Sequence, residues 1–234
     1  MAFNKETALL FGVMLGDGCL SHYFTSDGKE RFAICITGNY YDDKEFYKNF
    51  LSLLLSSVSG RNVSIRERQK YGRRDINFCD KDLFYKIKSL GFSVGKKGDI
   101  VIPKRFKGHL MRYVIAGLFS TDGCLSLVNN CGKLYPRLFI TATLPSALNE
   151  ASDYLNSIEI KTSFYSRKFR KPSKSYPIKK KQYVLCSNGK NNLEKFRQRV
   201  GFINPKHELR YQKYIAYTKK EMAAEGVEPP TSGS

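Results

Sequence analysis

The chain has 234 residues, 41% of them apolar, with 40 Lys and Arg against 21 Asp and Glu, a formal net charge of +19. The apolar share is enough for a core and excludes a disordered polypeptide, while the charge suits a polyanion: DNA, RNA or an acidic membrane surface. The longest apolar run, near Leu51–Leu55, is far short of the ~20 residues of a spanning helix, the start lacks the basic segment and cleavage site of a signal peptide, and six cysteines without a Cys-x-x-Cys pair argue against a zinc ribbon or finger.

In chain order, residues 6–16 read as an apolar helix that runs into "GDGCLS" at 16–21. A strand pair follows, whose second member, "RFAICITG", is rich in β-branched and apolar residues. In "YYDDKEFYKNFLSLLLSSV" the apolar Phe46, Phe50, Leu53 and Leu54 recur at helical spacing, and the acidic run before them favours the positive end of the helix dipole. A second strand pair with a basic middle and a helix closing on Leu90-Gly91-Phe92 end the first half, residues 1–98, with Gly91 suited to a C-cap. After a linker at 99–107, residues 108–220 repeat the order: an apolar helix at 108–121, "TDGCLS" at 121–126, two strand pairs around an amphipathic helix, and a closing helix ending at Gly201. Each half reads αββαββα. The Pro-, Gly- and Ser-rich tail at 221–234 is expected to be disordered.

Superimposing Asp17 on Asp122 aligns Cys19 with Cys124, and keeping the order of the elements with loops of different length pairs Cys79 with Cys186. Repeated cysteines read as small core residues rather than ligands. Gly12 and Gly16 share one helix face, as do Gly117 and Thr121 in the second copy. Small-residue faces let two helix backbones approach closely, so the two apolar helices are expected to pair across a pseudo-twofold axis. That places Asp17 and Asp122 together at helix C-termini, where the dipole and the last carbonyls already present negative charge. A turn after each helix explains a single Asp-Gly. Two of them, brought together in a very basic chain, point to a bound divalent cation held by hard oxygen ligands.

The stretches "LFGVMLGDG" (10–18) and "IAGLFSTDG" (115–123) resemble the nine-residue motif of the LAGLIDADG homing endonuclease family, and the repeated order extends the resemblance over about residues 6–218. It implies an α+β fold with the two motif helices at the central interface and two antiparallel four-stranded sheets forming a saddle on double-stranded DNA. It also implies a single-chain, monomeric enzyme, since two motifs occur in one polypeptide. By this resemblance Asp17 and Asp122 are catalytic metal ligands for two or three divalent ions, Mg2+ with Mn2+ as a substitute, and the Gly16 and Thr121 carbonyls are additional ligands. Aligning the Gly-Phe pairs that end each half assigns catalytic lysines to Lys96, with Lys97 as a near alternative, and Lys206. The chain departs from the family pattern at Leu15 and Ser120. The places of a polar strand residue near the metals, around Gly38 or Asn39 and Ala142 or Thr143, hold no convincing counterpart.

Strands of this length fit the major groove. The expected DNA contacts are Lys29, Arg31, Ser64, Arg66, Arg68, Lys70, Tyr71, Arg73 and Arg74 in the first half. In the second they are Arg137, Arg167, Lys168, Arg170, Lys174, Lys179, Lys181 and Gln182, with Tyr176 interleaved. Alternation in "SIRERQ" puts Ser64, Arg66 and Arg68 on one face, available for reading bases. The resulting expectation is a site-specific endonuclease that makes a Mg2+-dependent double-strand break with short 3′ overhangs. The alternative is an RNA maturase acting on host intron RNA, and a non-cleaving DNA-binding regulator ranks last.

Overall fold

The structure, a computed structural model, describes residues 3–167 and 181–224. Helix α1 (Lys5–Gly16) opens on a capping box: the Asn4 side chain accepts from the Thr7 amide at 3.0 Å, and the Thr7 hydroxyl accepts from the Asn4 amide at 3.1 Å. Strands β1 (Gly18–Phe24) and β2 (Glu30–Asn39) pair antiparallel, with Cys19 opposite Cys35. Helix α2 (Lys44–Phe46) continues through a π-helical turn (Tyr47–Leu51) into α3 (Ser52–Ser59). Strands β3 (Ile65–Arg68) and β4 (Arg73–Cys79) and helix α4 (Lys81–Ser89) complete the first half.

The second half repeats it with α5 (Met111–Asp122), β5 (Gly123–Asn130), β6 (Lys133–Ala142), α6 (Pro145–Ser157), β7 (Ser163–Arg167), β8 (Gln182–Asn188) and α7 (Lys190–Arg199). The sheets run β1-β2-β4-β3 and β5-β6-β8-β7, all antiparallel. The architecture is thus an α+β duplication of an αββαββα unit. No helix among the described residues is long and apolar enough to cross a membrane.

The halves meet through α1 and α5. A Cβ added at Gly12 would collide with the Val114 carbonyl, and one at Gly117 with the Leu9 carbonyl, so the two backbones are in contact where the small residues fall. Around this pair each sheet buries alternate residues: Leu20, Ile34, Ile36 and Ile76 in one half, Leu125, Leu138, Ile140 and Leu185 in the other.

Several sequence expectations change. The cysteines expected as repeated core are half-buried: Cys19 and Cys124 because Leu20 and Leu125 take the inward positions and their neighbours must point to the other sheet face. Cys79 and Cys186 are half-buried too and are not equivalent, since Cys79 stands opposite Ala33 whereas Cys186 stands opposite Phe139, the counterpart of Cys35. Leu53 is 64% exposed rather than buried. The π turn adds a residue to the helical repeat and rotates the helix beyond it, so Leu51, Leu54 and Leu55 face the core instead. The segment 99–107 is more than a connection: Ile100, Ile102 and Phe106 are buried, with the Phe106 ring 5.0 Å from that of Phe11. An additional helix, α8 (Pro205–Ala224), comes after α7 and reaches into the stretch expected as a disordered tail. It docks by Arg210, which donates to the Leu125 carbonyl at 3.2 Å, and by buried Tyr214.

Candidate active site

Because α1 and α5 approach so closely, their C-terminal ends coincide. Asp17 is the C-cap of α1 and Asp122 is the last residue of α5. A Cβ at Gly16 would run into the Thr121 side chain and lie 3.3 Å from the Asp122 carboxyl carbon, so a side chain there would crowd the second carboxylate. Burial pushes the Asp17 carboxyl up to about 7, reinforced by the charges of Asp122 and Asp43 and opposed by Lys97 and Lys206. Burial likewise raises Asp122 to about 6, against the same two lysines. Burial and mutual repulsion thus disfavour the ionised carboxylates, and nearby positive charge favours them.

Ammonium groups occupy that surrounding. Lys97 Nζ donates to the carbonyls of Met14, Leu15 and Gly16 at 2.9, 2.7 and 2.6 Å, covering the negative end of α1. The alignment of the Gly-Phe pairs points to Lys96 with Lys97 as the near alternative, and it is the Lys97 ammonium that reaches the helix end. Lys96 is exposed on a turn closed by its own carbonyl and the Ser93 hydroxyl, so its neighbour is the one that faces the helix end. The Gly16 carbonyl therefore carries an ammonium in this structure, while the Thr121 hydroxyl donates back to the Leu118 carbonyl at 3.0 Å.

On the other side Lys206 Nζ donates to Asp43 Oδ1 at 2.8 Å. Asp43 is a residue that sequence reasoning missed. Its position in "DDKE" suits a helix N-cap, yet its side chain makes no cap bond. Instead Oδ1 also accepts from Asn204 Nδ2 at 2.8 Å, and Oδ2 from the Asn39 amide at 2.8 Å. Asn204 is fully buried and donates as well to the Ser120 carbonyl at 2.9 Å. His207 adds a bond from Nε2 to the Phe119 carbonyl at 3.2 Å, and burial, with the nearby Lys206 and Arg210 charges, lowers its pKa to about 3, so the ring is neutral. The end of α5 is thus covered by Asn204 and His207, whereas Lys97 covers the end of α1. One could have flagged the acidic run and the Asn-Pro before α8, but nothing in either names the partner.

These residues include no group of three or more His, Cys, Asp or Glu side chains arranged to hold an ion, and nor do the other described residues. Two carboxylates with helix-end carbonyls, with the Lys97 and Lys206 ammonium groups nearby, nevertheless offer the hard oxygen donors that suit a divalent cation.

The sequence matches the LAGLIDADG DNA endonuclease family over residues 7–144 and a LAGLIDADG-like domain over 109–201. The chain belongs to the LAGLIDADG DNA endonuclease family. Solved structures share the fold. The homing endonuclease I-DmoI in complex with DNA and Mn aligns with a TM-score of 0.59 at 17% identity, covering 86% of this chain and 98% of that one. I-LtrWI bound to target DNA aligns at 0.60 and 10% identity, covering 94% and 92%. The meganuclease I-SmaMI bound to uncleaveable DNA aligns at 0.58 and 12%, covering 93% and 91%. No curated protein matches the chain.

On this LAGLIDADG scaffold the expected DNA contacts divide. Ser64, Arg66, Lys70 and Tyr71 are exposed at β3 and the turn after it. Arg68 and Arg73 are exposed but lean on Asp75, at 2.9 and 3.7 Å. Arg74 is corrected: it is only 2% exposed, its guanidinium donating to the Asn39 and Tyr40 carbonyls and to Glu67 at 3.2 Å. Strand alternation turns it to the inner face beside Gly38, so it holds the sheet corner. Lys29 is paired with Asp27 at 2.7 Å, and Arg31 is half-buried. In the second half Arg137 and Arg167 line one cleft of about 240 Å3 on the outer sheet face. Lys181 shares a cleft of about 480 Å3 with Lys96 and Lys97, and Gln182 is half-buried at the start of β8. Lys168, Arg170, Lys174, Tyr176 and Lys179 lie outside the described residues.

Proposed function

We propose that this protein is a monomeric, site-specific DNA endonuclease that makes a double-strand break in a long target and leaves short 3′ overhangs, using Mg2+ or Mn2+. The observation that carries the reading is the meeting of Asp17 and Asp122 at the ends of two helices in backbone contact, with their carboxyl groups raised to about 7 and about 6. Asp17, Asp122 and the helix-end carbonyls of Gly16 and Thr121 would hold two or three divalent ions. When bound, such ions neutralise the scissile phosphates and promote activation of water. Lys97 and Lys206 place positive charge beside the same phosphates and stabilise the charge that develops during cleavage. The basic sheet faces hold the duplex, and their phosphate contacts set its register. The narrow minor groove brings the two cut positions near one paired-helix end.

The test is incubation with Mg2+ and a library of candidate intronless duplexes, followed by sequencing of the ends. Cleavage at one site, lost in Asp122→Asn with binding retained, supports the reading. Binding without any metal-dependent nicking overturns it.

A further inference from the structure

Tyr47 lies at the start of the π-helical turn and is fully buried, yet its hydroxyl has no hydrogen-bond partner among the described residues. Such a hydroxyl is destabilising where it stands, since burying it forfeits its bonds to water. Its surroundings show what it faces. A Cβ built on Gly38 would lie 2.8 Å from the Tyr47 oxygen, so the phenol fills the space that a side chain at 38 would take. The residues flanking Gly38 are tied to two carboxylate-bearing residues: the Thr37 amide donates to the Asp17 carbonyl at 3.3 Å, and the Asn39 amide to Asp43 Oδ2 at 2.8 Å. The hydroxyl therefore sits beside Gly38, between the segments that carry Asp17 and Asp43.

At the corresponding positions the second half carries no such group. Counting from the repeated strand pairs, Gly38 corresponds to Ala142, and counting from the helix starts, Asp43 and Tyr47 correspond to Leu144 and Leu148, both buried. The half-sites are chemically unequal, and the two polar groups fall on one side.

We propose that the Tyr47 hydroxyl is a positioning group of the first half-site, donating a hydrogen bond to a water held between Asp17 and Asp43 and orienting it for attack on one of the two strands. The inference rests on the endonuclease reading. Burial, with the charges of Asp17 and Asp43, pushes the phenol pKa upward, so it serves as a donor and not as a base. The π turn is the local irregularity that brings Tyr47 to this place, and such turns recur at functional sites.

The test is Tyr47→Phe, with Tyr47→Leu copying the second half. Single-turnover cleavage is followed on a duplex selected from the intronless library, each strand labelled separately, and melting is recorded on the metal-free protein. Loss of one donor to a reacting water corresponds to about a tenfold slower step. The expected result is about a tenfold loss on one strand, little change on the other, and a melting temperature for Tyr47→Phe equal to or above the parent's. Parent rates on both strands, equal loss on both, or a lowered melting point for Tyr47→Phe each overturn the inference while the endonuclease reading stands. A parent protein that cuts no duplex overturns both.

Discussion

Asp17→Asn removes the more strongly perturbed of the two central charges, and the structure sets the size of the response. The Asp17 carboxyl is raised from 3.8 to about 7, chiefly by burial. A raised carboxyl favours the protonated form of the fold. Its contribution is fully present below about pH 4 and is lost as pH rises through about 7. At pH 8 the ionised group costs about 4 kcal/mol at ~1.4 kcal/mol per unit. Partial exposure at the helix ends brings this to on the order of 2–3 kcal/mol. For a domain of this size that is about 5–10 °C. In chelator at pH 8, Asp17→Asn should melt that much above the parent, the gap should close near pH 4, and Mg2+-dependent cleavage should be lost. Differential scanning fluorimetry across pH 4–8 reads the first two. A variant that melts at or below the parent at pH 8, or a gap that does not change with pH, would refute the reasoning that the carboxylate is held ionised at the expense of stability.

Gly117→Ala drives a methyl group into the Leu9 carbonyl and should lower stability by about 3 kcal/mol, or ~6–12 °C, measured by denaturant and thermal unfolding. Lys97→Met should reduce single-turnover cleavage about a hundredfold, whereas Lys96→Met should stay near the parent rate; the reverse order would return the role to Lys96. Arg137→Ala should weaken duplex binding and reduce the slope of log K against log salt by about one, as read by titrations at several salt concentrations. Arg74→Met should leave that slope unchanged and instead destabilise the sheet corner by about 3 kcal/mol, since the Asn39 and Tyr40 carbonyls lose their donor.

The duplicated helix, both sheets and the central carboxylates could be read from the chain because the same five residues, Asp-Gly-Cys-Leu-Ser, occur twice and the small residues fall on matching helix faces. The features that could not be read depended on contacts between distant segments. Asp43 looks like a helix-start residue until Asn204 and Lys206, from the far end of the chain, close on it. The choice between Lys96 and Lys97 rests on which way a turn faces, and adjacent identical residues carry no such signal. Alternation around Arg74 is visible, but its inward direction comes from pairing with Gly38 on a strand far upstream. The π turn leaves no mark in the apolar spacing, so the phase of α3 and the burial of the Tyr47 hydroxyl beside Gly38 emerge only from the fold.

The most direct measurement of the central claim is strand-resolved mapping of the ends produced from a selected duplex with Mg2+, with chelator, and with Asp17→Asn and Asp122→Asn. The account predicts one nick per strand at a fixed short stagger with 3′ extensions, absent in chelator and in both variants, while all proteins still shift the duplex in a binding assay. Undiminished cleavage by both variants, or cleavage that persists in chelator, would contradict the assignment of the two helix-end carboxylates as the catalytic metal ligands.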